Sequence, residues 1–371
     1  MKKNKMKNIK VIGIILVLVL LSGCSKNNQN NLNNQTLSPQ PTVNAPSENV
    51  GEEDTENTLF LEDYFPLAAN TVYEYEGAGN EYASYYRVID YIDKNSKRLQ
   101  TRSNNGGTET VRVLEIKDGK LTVLTTINEC YYRENIMEKA VAGSDLEVLL
   151  MEPLVEGTTW NLADGRKRTI TSTKADITTP YGSYQALEVT TEDDEGVAKD
   201  YYGYQVGLVK SIYTSQGMEV TSTLSKISTS TPYTQTLEIF YPNEDGNINV
   251  EQIKLTFYTG DDTKEVLREA LINRAKEENN LGLISINTKI NQLYLGDDNV
   301  VHVDFSKEFV TDMNLGPGFE QLILQSITNT LGSYYGVEEV AITIEGKAYE
   351  SGHIIMKEGE TFKVNMDKVV R

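Results

Sequence analysis

The chain of 371 residues carries 35 Lys and Arg against 54 Asp and Glu, a formal charge of -19. An acid excess of that size offers phosphates no basic field, which excludes a cationic nucleic-acid binder, and 2 His with 2 Cys supply neither the ligand clusters of most zinc enzymes nor a disulfide framework. At this length two compact regions of roughly 100 to 200 residues are expected, each long enough to bury a core.

Lys2, Lys3, Lys5, Lys7 and Lys10 precede an apolar run from Val11 to Leu21. A positive segment followed by an apolar stretch too short for a ~30 Å hydrocarbon core reads as a cleaved export signal over residues 1–23. The run closes on Leu21, Ser22, Gly23 and Cys24, which resemble the bacterial lipobox. The resemblance implies that Leu21, Ser22 and Gly23 are read by the signal peptidase and that Cys24 takes diacylglycerol and becomes the mature N-terminus. Loss of the five leader lysines takes the charge from -19 to -24. At ~0.8 kcal/mol per buried CH₂, two or three acyl chains hold such a protein on the outer face of the cytoplasmic membrane with no transmembrane helix.

Residues 24–58 then form a lipidated Cys24 and an Asn- and Pro-rich tether, with runs such as Asn27-Asn28-Gln29-Asn30-Asn31 and Ser38-Pro39-Gln40-Pro41. Apolar side chains there are too sparse to offset the entropy of ordering, and a flexible coil of that length spans about 30 Å on average.

Residues 59–231 read as a β-rich region. Thr71 to Glu76 alternates strictly, as do stretches within Tyr82–Ile92, Val111–Ile116, Lys120–Thr126, Ala186–Thr191 and Val206–Tyr213. Breaks fall at Asn104-Asn105-Gly106-Gly107, Ala163-Asp164-Gly165 and Pro180-Tyr181-Gly182, and Asp118-Gly119 between two alternating runs is a hairpin signal. An antiparallel meander, a sandwich or an open barrel follows. Cys130, in an alternating stretch, is expected as a small buried residue, and Trp160 as a core anchor.

Residues 232–371 read as an α+β domain with two helices packed on a sheet. The order is strand (236–241), strand (252–258), helix (263–277), strand (292–295), strand (300–305), helix (318–335) and strand (339–345). Asp262 suits the start of the first helix, while Pro317 and Gly336 suit the first turn and the C-cap of the second. Phe319, Leu322, Ile323, Ser326, Ile327, Thr330, Leu331 and Tyr334 give that second helix one apolar face.

The run from Val300 to Ser306, the helix segment from Gln325 to Leu331, and Gly336 to Val340 with Ile344 to Lys347 resemble the GerM-type sporulation and spore germination domain. That family is marked by a V-x-V-D-F-S strand, a helix with an N-T-L segment and a strand ending in x-x-x-G. These fall here on Val303, Asp304, Phe305 and Ser306, on Asn329, Thr330 and Leu331, and on Gly346. The resemblance runs from Leu237 to Gly352 and implies a non-enzymatic role in assembling protein complexes of the spore envelope, with no catalytic residue carried over. A single such domain stands here, where the lipidated family member has a tandem pair.

An enzyme finds little support of its own. There is no Gly-x-Ser-x-Gly elbow and no Ser-x-x-Lys. His302 and Asp304 share a strand face at a spacing of two, which suits a base and its orienter but more simply a hydrogen-bonded or exposed pair. His353 follows Ser351-Gly352 and reads as a turn residue. Glu192 to Glu195 and Asp297-Asp298 read as solvated turns, although a glycosidase would need two carboxylates about 5 to 9.5 Å apart. Asn243 to Asn247 echoes a fragment of a calcium loop, and no metal or cofactor is assigned. The 22 Tyr include the pairs Tyr85-Tyr86, Tyr131-Tyr132, Tyr201-Tyr202 and Tyr334-Tyr335, read as strand filling with a sugar- or protein-binding surface as the other use.

The expected function is a lipid-anchored, non-enzymatic interaction module of sporulation or germination, with protein partners in the spore or cell envelope. A peptidoglycan- or cortex-binding lipoprotein using a Tyr-rich β-domain is the second reading, and a wall hydrolase the third. Cys24→Ala is expected to accumulate as an unlipidated precursor on palmitate labelling; normal processing and acylation would overturn the lipobox.

Overall fold

The computed structural model describes residues 59–140, 146–192, 194–273 and 282–370. The export signal, the lipobox from Leu21 to Cys24 and the tether lie outside them.

The alternating runs of the first region become a meander: β1 (Thr71–Ala78), β2 (Tyr85–Asp93), β3 (Arg98–Asn104), β4 (Glu109–Lys117), β5 (Lys120–Asn128), β6 (Glu147–Met151), β7 (Thr159–Asn161), β8 (Lys167–Thr178), β9 (Ser183–Glu192), β10 (Val197–Gly203), β11 (Gly207–Ser215) and β12 (Met218–Thr229). Each strand pairs with its chain neighbour, except that β6 and β7 part and β12 returns to pair antiparallel with β1. The product is a 12-stranded near-barrel with one seam, between β6 and β7. Side chains bridge that seam. Trp160 Nε1 donates to the Val148 carbonyl at 3.0 Å, Arg168 Nη1 donates to the same oxygen at 2.6 Å, and Arg168 Nη2 meets Glu147 Oε1 at 2.7 Å. Trp160, 6% exposed, is thus both a core residue and a clasp.

Asp118 and Gly119 join β4 to β5 with φ of 51° and 67°, the left-handed pair that a two-residue hairpin needs. Alternate residues of the strands turn inward, where Leu99, Leu114, Leu121, Leu150 and Leu187 form an apolar core. A short helix α1 (Leu61–Tyr64) and the following Phe65 add Leu61, Tyr64 and Phe65 to it.

The second region follows the expected order: β13 (Tyr233–Pro242), β14 (Ile248–Phe257), α2 (Thr263–Asn273), β15 (Ile290–Leu295), β16 (Val301–Phe305), a short α3 (Glu308–Thr311), α4 (Pro317–Tyr335) and β17 (Glu339–Ile344). The short helix α3 and the two-residue strands β18 (Lys347–Ala348), β19 (Phe362–Lys363) and β20 (Val369–Val370) were not foreseen. Asp262 Oδ1 accepts the Lys264 amide at 3.1 Å and caps α2; the rest of the predicted helix, residues 274–277, lies outside the described residues. Strands β13, β14 and β20 form one sheet, and β15 to β18 with β19 on β17 form another. Parallel β16 and β17 flank the crossover helix α4. Pro317 opens that helix, and Gly336 closes it in the left-handed conformation, φ 71°.

Helix α4 departs from the one-face expectation. Ser326 to Gly332 are buried without interruption, because the helix packs on β13 of one sheet and on β16, β17 and β19 of the other. A helix enclosed on both sides has no polar face to keep.

The two regions share a core, in which Val88, Val72 and Tyr86 of the barrel pack with Leu237, Phe257, Leu271 and Leu331. They also share a buried charge network. Arg133, 1% exposed, donates from Nη1 to the Tyr91 hydroxyl at 2.8 Å and to the Asp261 carbonyl at 2.5 Å, and from Nη2 to the carbonyls of Asp90 at 2.8 Å and Tyr258 at 3.2 Å. Its guanidinium stacks 4.2 Å from the Tyr91 ring centre and 4.8 Å from that of Phe257. The Asp90 carboxylate lies 3.6 Å from Arg133 Nε and 3.2 Å from Arg102. Arg102 in turn reaches Glu109 at 2.9 Å, and Glu109 accepts the Tyr233 hydroxyl at 3.1 Å. Removing one member strands a buried charge. Arg133→Met is therefore expected to cost about 3 to 5 kcal/mol in denaturant unfolding, with Trp160 fluorescence and far-UV circular dichroism falling together. A loss below about 1 kcal/mol would show that the network does not join the regions.

Candidate functional site

The residues that carry the family resemblance converge on α4 and the sheet around β16. Along β16, Val301, Val303 and Phe305 alternate into the core while His302 and Asp304 take the other face. The buried Asp304 carboxylate accepts three hydrogen bonds: from Thr343 Oγ1 on β17 at 2.6 Å, from the Gly346 amide at 2.7 Å and from Asn291 Nδ2 on β15 at 2.8 Å. One side chain thus ties three neighbouring segments. Gly346, φ 75°, holds the left-handed turn that aims its amide at that carboxylate. Ser306 Oγ accepts the Lys289 amide at 3.0 Å, anchoring the approach to β15.

On α4, Asn329 Nδ2 donates to the Asn365 carbonyl at 2.8 Å while its Oδ1 accepts the Asn365 amide at 3.0 Å, pinning the C-terminal segment to the helix. Thr330 Oγ1 accepts the Phe240 amide of β13 at 3.0 Å, and Leu331 is wholly buried. Val303 and Phe305 pack in the same core. These motif side chains are all engaged in joints between elements.

His302 does not meet Asp304. Its Nε2 lies 3.2 Å from Asp298 Oδ2 in the β15–β16 turn, and its ring stacks on Tyr294 with centres 5.0 Å apart and planes 9° from parallel. The Val300 amide, followed by His302, holds the Asp298 carboxyl below its ordinary range. Cys130 is buried in the small core over β4 and β5, and burial pushes its thiol up. The Asn243 to Asn247 turn spends Asn243 Oδ1 on the amides of Asp245 and Asn247. Glu192, Asp194 and Glu195 are exposed around the β9–β10 turn, and Asp193 lies outside the described residues. Among the described residues no three His, Cys, Asp or Glu side chains gather as metal ligands, and no helix is long and apolar enough to cross a membrane.

The tyrosine pairs turn out to be mostly interior. Tyr201 and Tyr202 are buried in the barrel, Tyr334 and Tyr335 on α4, and Tyr85 stacks on Tyr75 at 4.4 Å. Exposed rings stand singly, as Tyr82, Tyr131, Tyr213, Tyr258 and Tyr294.

One cluster escaped the sequence reading. Glu320, in the first turns of α4, is 3% exposed and accepts the Tyr349 hydroxyl at 2.8 Å, the Ser351 hydroxyl at 2.5 Å and His353 Nδ1 at 2.6 Å. His353 is therefore more than a turn residue: it closes the lid of a buried carboxylate. Burial pushes the Glu320 carboxyl up, but the hydrogen bonds from Ser351, His353 and Tyr349 outweigh it and leave it below its ordinary value. Only the position of Glu320 as the one charged residue of α4 hinted at this cluster.

Residues 238–350 match the protein family described as "Germane: Sporulation and spore germination". Among solved structures the chain is similar to the tandem GerMN domains of the sporulation protein GerM from Bacillus subtilis, at 21% identity over 34% of this chain and 45% of that one, with a TM-score of 0.25. It thus spans less than half the length of that tandem structure. The first GerMN domain of the same protein aligns at 21% identity over 33% of this chain and 95% of that one, TM-score 0.26. A protein of Clostridium perfringens assigned as a lipoprotein aligns at 20% identity over 36% and 87%, TM-score 0.24. No curated protein matches the sequence.

A carboxyl depressed in the folded state stabilises above its unfolded value, and that stability is lost as pH falls through the folded value. Glu320→Gln is therefore expected to lower stability by about 2 kcal/mol at neutral pH. The gap to the parent protein should close as pH falls below the ordinary 4.5. A gap independent of pH in thermal unfolding would contradict this.

Proposed function

We propose that the chain, whose residues 238–350 match the sporulation and spore germination family, is an extracytoplasmic lipoprotein, anchored through diacylglycerol on Cys24, that serves sporulation or germination as a non-enzymatic interaction module. The observation that carries this reading is the use made of the motif residues. Asp304, Ser306, Asn329 and Gly346 spend their polar atoms on internal joints, and Thr330 satisfies a strand amide. A motif of that kind specifies a shape to be presented rather than groups held ready for a substrate. The shared core and the Arg133 network brace the shape against the barrel. The lipobox and tether would place it within the wall layer, about 30 Å from the bilayer on average.

A second reading, binding of wall glycan, draws on a cleft of about 510 Å³ between the Glu134 to Lys139 segment and β15, lined by Tyr294, Asn135, Asn291, Gln292 and Asp262. Sugar rings stack on aromatic faces, and amides and carboxylates take their hydroxyls. Tyr294 is 37% exposed.

Affinity capture with the full-length protein in detergent, from sporulating and from vegetative cells, separates the two. A defined set of envelope proteins, lost when Cys24→Ala keeps the chain from its membrane in vivo, is the expected result. Co-sedimentation with purified peptidoglycan that weakens at least tenfold in Tyr294→Ala, with no protein captured, would replace the first reading by the second.

A further inference from the structure

Asn105 is the one asparagine of the chain that a glycine follows. With Gly106, Gly107 and Thr108 it forms the loop that joins β3 to β4, and both glycines are exposed. Its Oδ1 accepts the amides of Gly107 at 3.0 Å and Thr108 at 2.9 Å, so the side chain folds back along the Gly106 peptide. The Gly106 amide stands outside the strand ladder and donates to Asn104 Oδ1 at 2.7 Å. Gly106 has φ 82°, and a Cβ built on it would meet nothing within 4 Å. Other loop asparagines precede larger residues: Ser96 follows Asn95, Val300 follows Asn299 and Leu315 follows Asn314.

The carbon of an asparagine amide is open to attack by the nitrogen of the next peptide, and this loop favours that attack in three ways. Two N–H groups on Oδ1 sit as the donors of an oxyanion hole do, on the oxygen that gains charge as the nitrogen adds. Without a Cβ, Gly106 leaves its nitrogen unshielded and holds a positive φ at no steric cost. Exposure of the loop admits the hydroxide and water that the reaction consumes.

We propose that Asn105 is a site of spontaneous deamidation in the folded protein. The Gly106 nitrogen yields its proton to hydroxide and bonds to Asn105 Cγ. The Cγ–Nδ2 bond breaks, and Nδ2 leaves as ammonia with a proton drawn from water, which returns the hydroxide. Water then opens the five-membered imide, giving aspartate where it adds at Cγ and isoaspartate where it adds at the backbone carbonyl. Aspartate keeps both amide bonds and strengthens them with its charge. Isoaspartate routes the backbone through the side chain and lengthens the turn. A Cβ on Gly107 would stand 2.7 Å from Tyr82 Cε1, so the longer turn is expected to displace that exposed ring. This goes beyond the interaction-module reading and does not depend on it.

Folded protein held in mildly alkaline buffer made with heavy-oxygen water, then digested and mapped by mass spectrometry, is expected to carry the label and an acid at position 105 ahead of every other asparagine, with both isomers present. Gly106→Ala should slow the conversion by about tenfold or more, since a side chain at 106 moves the nitrogen off its line of approach. An intact amide at 105 in the folded protein, conversion only after unfolding in urea, or an equal rate in Gly106→Ala would each overturn the proposal. Aspartate without isoaspartate would mean direct hydrolysis and would overturn it too. If Gly106→Ala does not fold, the map of the parent protein decides alone.

Discussion

A guanidinium taken out of water has to find partners for its donors, and Arg133 finds them for Nη1 and Nη2 on both halves of the chain, while its Nε has only the Asp90 carboxylate at 3.6 Å, beyond hydrogen-bond reach. From the barrel come the Tyr91 hydroxyl and the Asp90 carbonyl and carboxylate; from the α+β region come the carbonyls of Tyr258 and Asp261. Any rearrangement that parts the two regions takes from Nη1 the Asp261 carbonyl and from Nη2 the Tyr258 carbonyl. The arrangement is also closed electrically, with Arg102 and Arg133 set against Asp90 and Glu109. Two acids balance two bases, so the burial of four charges leaves no net charge in the core. Tyr334 extends the same logic, accepting the Arg133 amide and donating to Gln235, whose Nε2 reaches the Tyr131 carbonyl. Helix α4 is thereby tied to the network that fixes the barrel.

The consequence for the family motif is a change in how it should be read. Asp304 has the burial and the hydrogen-bond load of a catalytic carboxylate, yet each of its partners is another piece of the same domain. The N-T-L segment behaves alike: Thr330 fills an orphan strand amide, Asn329 grips the C-terminal segment with both ends of its amide, and Leu331 packs between sheets. Polar residues with such duties tolerate little substitution, since each loss leaves a buried group unpaired. A motif can be sharp for structural reasons alone.

Much of this was readable in the chain, and the parts that were not share a cause. Local signals served well: Asp118-Gly119 forms the hairpin that its φ preferences dictate, Pro317 and Gly336 bound α4, and the strand and helix order from 233 to 344 follows the hydrophobic period. What stayed hidden is set by partners distant in sequence. Thr71 pairs with Thr229, and Trp160 meets Val148 only because ten other strands carry β6 and β7 round to each other. Arg102 and Arg133 look like ordinary strand and loop cations until Asp90, Glu109 and Tyr258 are placed beside them. The face of α4 was read at the helical period from Phe319 to Tyr334, but Leu324, Thr328 and Asn329, which lie off that face, are buried as well, because a second sheet covers the side they occupy. Periodicity reports one buried stripe and cannot report two.

The same bonds restrict how the domain can meet another protein. Strand β13 ends its sheet, but α4 lies along it and Thr330 already takes the Phe240 amide that an added strand would need. The barrel edges β6 and β7 are clasped to each other by Trp160 and Arg168. Strands β18 and β20 also stand at sheet ends, but with two residues each they offer almost no ladder. Strand β15, six residues long, pairs only with β16, but its outward Leu295 amide is already held by Glu134 of the barrel region. Recognition by strand addition, which draws its affinity from backbone bonds and its specificity from alternate side chains, therefore finds no edge of useful length with all its amides free among the described strands. The barrel segment that takes this amide, Glu134 to Lys139, also forms the far wall of the cleft beside β15, so a partner meets side chains of both regions there rather than a bare backbone edge.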